Sequence, residues 1–178
     1  MPRLAQINIE NAEQDTKTML EGIQEKMGKV PNIFQGMANS PATLGFYLQG
    51  SGALSNSKLN ATEREAIALI IAQVNECNYC LAAHTAIGAG AGISAEESIN
   101  IRKNAASDAK TQALIAFAVK VQNSKGFVSD ADIAEFKAAG YGDAEASEVA
   151  AIVAMNIFTN FFNHINDTEV DFPAAQSI

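Results

Sequence analysis

Apolar spacing along the chain predicts a succession of helices. From about Asn11 to Met27 the positions Met19, Leu20, Ile23 and Met27 recur at helical intervals, and Gly28 and Pro31 end the pattern. Residues 1–9 alternate weakly and predict an arm or a short extended segment. PNIFQGMAN (31–39) predicts a connector with one helical turn. Ser40 before Pro41 is an N-cap followed by proline at the first helical position. The helix it opens carries Leu44, Phe46, Tyr47 and Leu48, and Gly50 and Gly52 weaken its end. Asn60 with Glu63 is a capping pair for the next segment, whose EREAIALIIAQV run is so apolar after Arg64 that it must be buried on most sides. Asn75 and Glu76 interrupt the pattern, and a further helix then runs to GAGAG. Gly88, Gly90 and Gly92 follow a helix rather than a strand, so they are read as close packing and a C-cap, not as a dinucleotide fingerprint.

Three later starts share one logic: Ser94 with Glu97, Asp108 ahead of AKTQALIAFAVKVQ, and Ser129 with Asp132. The last long segment, about Ala144 to Asn166, is apolar around nearly its whole circumference through 149–162, which predicts a central helix or a subunit interface. A homo-oligomer is therefore expected. No stretch alternates as a strand does, and no linker rich in Pro or Ser divides the chain. The fold class is all-α, a single-domain helical bundle.

Composition changes this picture little. A chain of 178 residues with 48% hydrophobic and 18% charged residues holds one substantial core. A net charge of −8 with 12 dispersed Lys and Arg argues against a nucleic-acid surface. The start MPRLAQINIEN lacks an apolar signal region, and no run approaches about eighteen apolar residues, so neither export nor membrane spanning is signalled. A cytoplasmic location is the expectation. There, two cysteines three apart are read as catalytic or metal-binding rather than as a staple, because a bridge closing so short a loop constrains little.

Chemistry concentrates in Glu65 to His84, EAIALIIAQVNECNYCLAAH, which holds both cysteines and one of the two histidines. Cys77, Cys80 and His84 stand at i, i+3 and i+7 and share one helix face. Taken alone, Cys-x-x-Cys is a redox dithiol, half of a zinc site, a haem attachment or two buried thiols. Leu81 after Cys80 rules against haem attachment. Zinc lacks a fourth ligand, since His164 lies far off among Asn and Phe residues, and no metal is expected. Buried inert thiols rarely have a histidine one turn on, which favours the redox dithiol. A thiolate must then be made from a thiol that ordinarily titrates near pKa ~8.5. A helix N-terminus at Cys77, the imidazole of His84 and a base are the available means, and Glu65 is the candidate base. If the chain turns near Asn75, antiparallel helices let Glu65 face His84. Otherwise Glu65 is a first-turn carboxylate favoured by the helix dipole, and His84 a hydrogen-bonded core histidine. Tyr79 either hydrogen-bonds a substrate oxygen or caps the pocket.

Glu65, Cys77-x-x-Cys80 and His84 together resemble the signature of AhpD-like proteins of the carboxymuconolactone decarboxylase family. The ending FNHINDTEVDFP also resembles tails of that family, so the similarity runs from about Pro31 to Pro173. The resemblance implies an AhpD-like helical domain over 31–173, packed as one domain with an N-terminal arm and helix over 1–30. It implies assembly into homotrimers or homohexamers and a peroxidase or disulfide reductase working without cofactor, metal or haem. In the family's peroxidase the positions matching Glu65 and His84 relay a proton to the second cysteine, here Cys80. That enzyme has a histidine where this chain has Tyr79. On this basis Cys80 attacks a hydroperoxide as thiolate and Cys77 resolves the sulfenic acid and meets the reductant. The disulfide Cys77–Cys80 is then restored to thiols by a dithiol partner, by resemblance a lipoylated protein. Two alternatives stand beside this: a decarboxylase-like lyase using Glu65 and His84 for acid–base chemistry, and a non-enzymatic redox-sensing protein.

Overall fold

The computed structural model describes residues 1–178 and contains helices and no strand. Nine helices follow one another: α1 (Gln14–Met27), α2 (Asn32–Met37), α3 (Pro41–Leu54), α4 (Ala61–Val74), α5 (Asn78–Gly90), α6 (Ala95–Arg102), α7 (Ala109–Asn123), α8 (Asp130–Ala138) and α9 (Asp143–Asn166). Local chemistry sets most of their starts. Ser40, Ser94 and Asp108 each accept a hydrogen bond from the backbone N–H three residues on. Asn60 with Glu63 and Ser129 with Asp132 form complete capping boxes. Gly28, in the left-handed region at φ 74°, ends α1.

Two elements differ from the sequence expectation. The connector after Pro31 forms a six-residue helix, because the Asn32 side chain and backbone N–H both bond to the C-terminal tail, at Glu169 O and Asp171 Oδ2. Gly50 and Gly52, expected to weaken the end of α3, lie inside it, and the helix runs on to Leu54. At Gly50 a Cβ would meet the Met155 methyl of α9, the flexible end of a side chain that packs over this glycine.

Helix α4 is the hub, packed against α5, α6, α7 and α9. Its seven consecutive residues Ala66 to Ala72 are all buried. On one side lies a core built with Leu114, Ile115, Phe136 and Val149; on the other a core of Leu20, Phe34, Met37 and Leu44 includes both cysteines. Each fully buried Leu or Ile contributes about 1.5–3 kcal/mol, so α4 with Ile67, Leu69 and Ile71 is the most expensive helix to perturb.

α9 is central, but its circumference is not uniform. Val149, Ile152 and Val153 bury an apolar first half, whereas the buried stripe of the second half is Asn156, Thr159, Asn160, Asn163 and Asn166. Phe161 and Ile165 face outward at 54% and 63% exposure. The N-terminal arm caps this helix: Arg3 donates from its backbone N–H to Asn166 O and from Nη1 to the carbonyls of His164 and Ile165. His164 itself is exposed. No helix is long and apolar enough to cross a membrane.

Candidate active site

The site is made by the turn between α4 and α5. Asn75 ends α4, Glu76 takes the left-handed conformation at φ 56°, and the Cys77 N–H donates to Ala72 O, so the chain reverses within two residues. Asn75 is held from two sides: its Nδ2 donates to Asn160 Oδ1 at 2.8 Å, and its Oδ1 accepts from Gln122 Nε2 at 2.6 Å. Cys77 becomes the N-cap of α5, its Sγ accepting the Cys80 backbone N–H at 3.3 Å.

This reversal brings Glu65 and His84 together, as the sequence predicted. His84 Nδ1 lies 2.8 Å from Glu65 Oε2, and both side chains are largely shielded. An ionised carboxylate only accepts, so Nδ1 carries the proton and donates; Nε2 is left with a free lone pair or, on protonation, a second N–H. Gly88, one turn beyond His84, packs closely against Ile93 and lies beside Glu65. A Cβ there would stand 3.3 Å from Ile93 Cδ1 and 3.8 Å from Glu65 Cβ.

Cys77 and Cys80 are joined as a disulfide. A cavity of about 320 Å³ opens beside them, and Cys80, His84, Glu65, Tyr79, Asn163 and Phe172 contribute to its wall. Cys77 does not. Both sulfurs belong to buried residues, with Cys77 1% and Cys80 3% exposed. Cys77 starts α5, but a residue there gains solvent only if no other element covers that end, and here the second core does.

Tyr79 contributes its ring to the cavity, but its hydroxyl is committed. It donates to Asp171 Oδ1 at 2.8 Å and accepts from the Ile33 N–H at 3.3 Å. Burial, reinforced by the Asp171 carboxylate, pushes the phenol well above its ordinary range. Phe172 meets the Tyr79 ring edge-on, and Lys29 bonds Asp171 while sitting 4.3 Å over the Phe172 ring, so the C-terminal tail is strapped across the cavity. Tyr47 of α3 also lines the cavity; burial first, and then the negative charge of Glu65, hold its phenol neutral.

Asn163 is the residue that sequence reasoning missed. Its Nδ2 donates to Cys80 Sγ at 3.2 Å and reaches Cys77 Sγ at 3.9 Å, across 83 residues of chain. Its Oδ1 is buried with no partner in the chain, an arrangement that costs about 1–3 kcal/mol. The run of asparagines spaced at three and four along α9 was the available signal. No group of three His, Cys, Asp or Glu side chains converges in a way that would hold a metal ion.

Residues 41–109 match the sequence model of the Carboxymuconolactone decarboxylase family. The solved structure of an alkylhydroperoxidase AhpD core, an uncharacterized peroxidase-related protein from Ralstonia eutropha JMP134, is similar over 96% of this chain and 92% of its own, with TM-score 0.88 and 25% identity. A peroxidase-related protein from Silicibacter sp. TM1040 is similar over 94% and 92%, with TM-score 0.81 and 23% identity. The debrominase Bmp8, in complex with 2,3,4-tribromopyrrole, is similar over 95% and 91%, with TM-score 0.80 and 20% identity. At these last two identities the likeness is one of fold. Comparison with curated proteins finds no significant match.

Proposed function

We propose, from the match of residues 41–109 to the carboxymuconolactone decarboxylase family model and from the AhpD-like all-α fold, that the protein is a thiol-dependent peroxidase or disulfide oxidoreductase. One observation carries the reading: a Cys77–Cys80 disulfide presents Cys80 to a cavity whose wall also holds the hydrogen-bonded pair Glu65 and His84. Acid–base work alone has no use for a disulfide at that place.

In the reduced protein, His84 Nε2 takes the Cys80 thiol proton while Glu65 steadies the imidazolium through Nδ1. The Cys80 thiolate attacks the terminal oxygen of a hydroperoxide, the O–O bond breaks, and the departing alkoxide receives the proton from His84 as an alcohol. Cys80 is left as a sulfenic acid. Cys77 attacks that sulfur, water leaves, and the disulfide is restored. Two electrons have passed from the thiol pair to the peroxide.

A dithiol partner must return them. With Cys77 off the cavity wall, attack on Cys80 Sγ with Cys77 leaving fits the geometry better than the reverse. The departing Cys77 thiolate sits at the N-terminus of α5 and already accepts the Cys80 N–H, and a stabilised leaving thiolate speeds exchange. The mostly apolar cavity wall, with 13 hydrophobic residues among 22, suits an organic hydroperoxide or an apolar dithiol arm better than a charged reductant.

The test is peroxide consumption with several dithiols, lipoylated protein among them, by the parent chain and by the variant with both cysteines replaced by serine. Turnover that requires both thiols supports the reading. A lyase activity on a lactone acid that survives their loss would move the function to Glu65 and His84 alone.

A further inference from the structure

Resting on the thiol reading above, we propose that Asn163 is a further catalytic residue: its Nδ2–H group stabilises the Cys80 thiolate, in the attack on peroxide and when the dithiol's second thiol releases Cys80 from the mixed disulfide.

The four buried asparagines of α9 divide by their partners. Asn156 Nδ2 donates to Ile152 O, Asn160 Oδ1 accepts from Asn75, and Asn166 bonds both Thr168 Oγ1 and the Leu4 N–H. These three tie the chain together. Asn163 is different: its only partners are the two sulfurs, Cys80 at 3.2 Å and Cys77 at 3.9 Å, and its Oδ1 bonds nothing in the chain. Nothing but sulfur orients this amide.

A disulfide sulfur is a weak acceptor, and a thiolate is a strong one. The same donor therefore interacts more strongly in the reduced, ionised state than in the resting disulfide, which is the differential binding that catalysis needs. Cys77 has the Cys80 backbone N–H for its charge. Cys80 has no backbone donor and sits 3% exposed, so in the disulfide state Asn163 is the one hydrogen-bond donor on that sulfur, and in the thiolate it stands beside the His84 imidazolium. The amide transfers no proton; the atoms and electrons exchanged are those of the peroxide reaction already described.

The experiment reads the thiol rather than turnover. In a Cys77→Ser chain, the pKa of Cys80 is measured from the pH dependence of alkylation by iodoacetamide. Adding Asn163→Ala is expected to raise it by about one unit, a roughly tenfold loss of thiolate at a given pH. In the two-cysteine chain the same substitution is expected to shift the equilibrium with dithiothreitol about tenfold toward the disulfide. Asn166→Ala, on the same helix and touching neither the sulfurs nor the turn at Asn75, is expected to move neither value. Should Asn163→Ala not fold, Asn163→Asp keeps the shape, cannot donate when ionised and is expected to shift both values the same way. Without any change at Asn163, its side-chain amide resonance is expected to titrate together with Cys80. Folded variants that leave the thiol values unchanged, an Asn166→Ala shift of equal size, or an amide resonance indifferent to Cys80 ionisation would each overturn the assignment. These readouts stand even if the protein consumes no peroxide, so failure of the thiol-peroxidase reading and failure of this one are told apart.

Discussion

Replacing Glu65 by Gln tests the proton path at a single charge. The side chain keeps its volume and an oxygen that accepts from His84 Nδ1, so the ring stays oriented with Nε2 free. What is lost is the negative charge that stabilises the imidazolium as Cys80 ionises. Glu65 and His84 are 2.8 Å apart with side chains 17% and 22% exposed, so solvent screens the pair only in part. A hydrogen bond to a charged partner exceeds a neutral one by about 1–1.5 kcal/mol, which predicts a roughly 5- to 12-fold slower reaction of Cys80 with peroxide. Stopped-flow mixing of the fully reduced variant with an organic hydroperoxide, from about pH 6 to about pH 9, measures it. An unchanged melting temperature with slower reaction is the expected result. If the variant reacts at the parental rate throughout that range, Glu65 only orients His84 through a hydrogen bond and the relay is wrong.

Three further outcomes are expected. Cys77→Ser treated with peroxide should accumulate a sulfenic acid at Cys80, and Cys80→Ser should form none at Cys77; a chemical trap located by mass spectrometry decides, and the reverse pattern would show that the helix terminus outweighs the imidazole. Asp108 and Asp132 are held below the ordinary carboxylate range, Asp108 first by the Thr111 N–H and Asp132 first by the Ser129 hydroxyl. Their contribution is complete above the unfolded value of 3.8 and is lost as pH falls through the lower folded values, so the melting temperature should hold steady down to about pH 4 and decline below it, less so in Asp108→Ala. The outward Phe46, Phe161 and Ile165 are expected to be covered in a homotrimer or homohexamer, and light scattering that gives a monomer at micromolar concentration would contradict this.

Where the chemistry is local, the sequence was enough. Ser40, Asn60, Ser94, Asp108 and Ser129 announce their helices because a cap needs only a side chain and the N–H three residues on. The meeting of Glu65 with His84 was legible from one turn at Asn75 and the helical repeat. What stayed hidden depends on contacts far apart in sequence. The Tyr79 hydroxyl looks available until Asp171 arrives 92 residues later. The sequence reading passed over the asparagines of α9. Their burial rests on partners in α4, the arm and the disulfide, none of which periodicity reveals. The covering of Cys77 by the second core was invisible for the same reason.

The central claim is that Cys80 and Cys77 together pass two electrons to a hydroperoxide. Its most direct measurement is a single turnover: fully reduced protein mixed with one equivalent of an organic hydroperoxide, with lost thiols and formed alcohol counted together. The account predicts one alcohol for each Cys77–Cys80 disulfide formed and no oxidised sulfur in the Cys80→Ser chain. Peroxide that remains intact beside two free thiols, or alcohol formed without loss of those thiols, would contradict it.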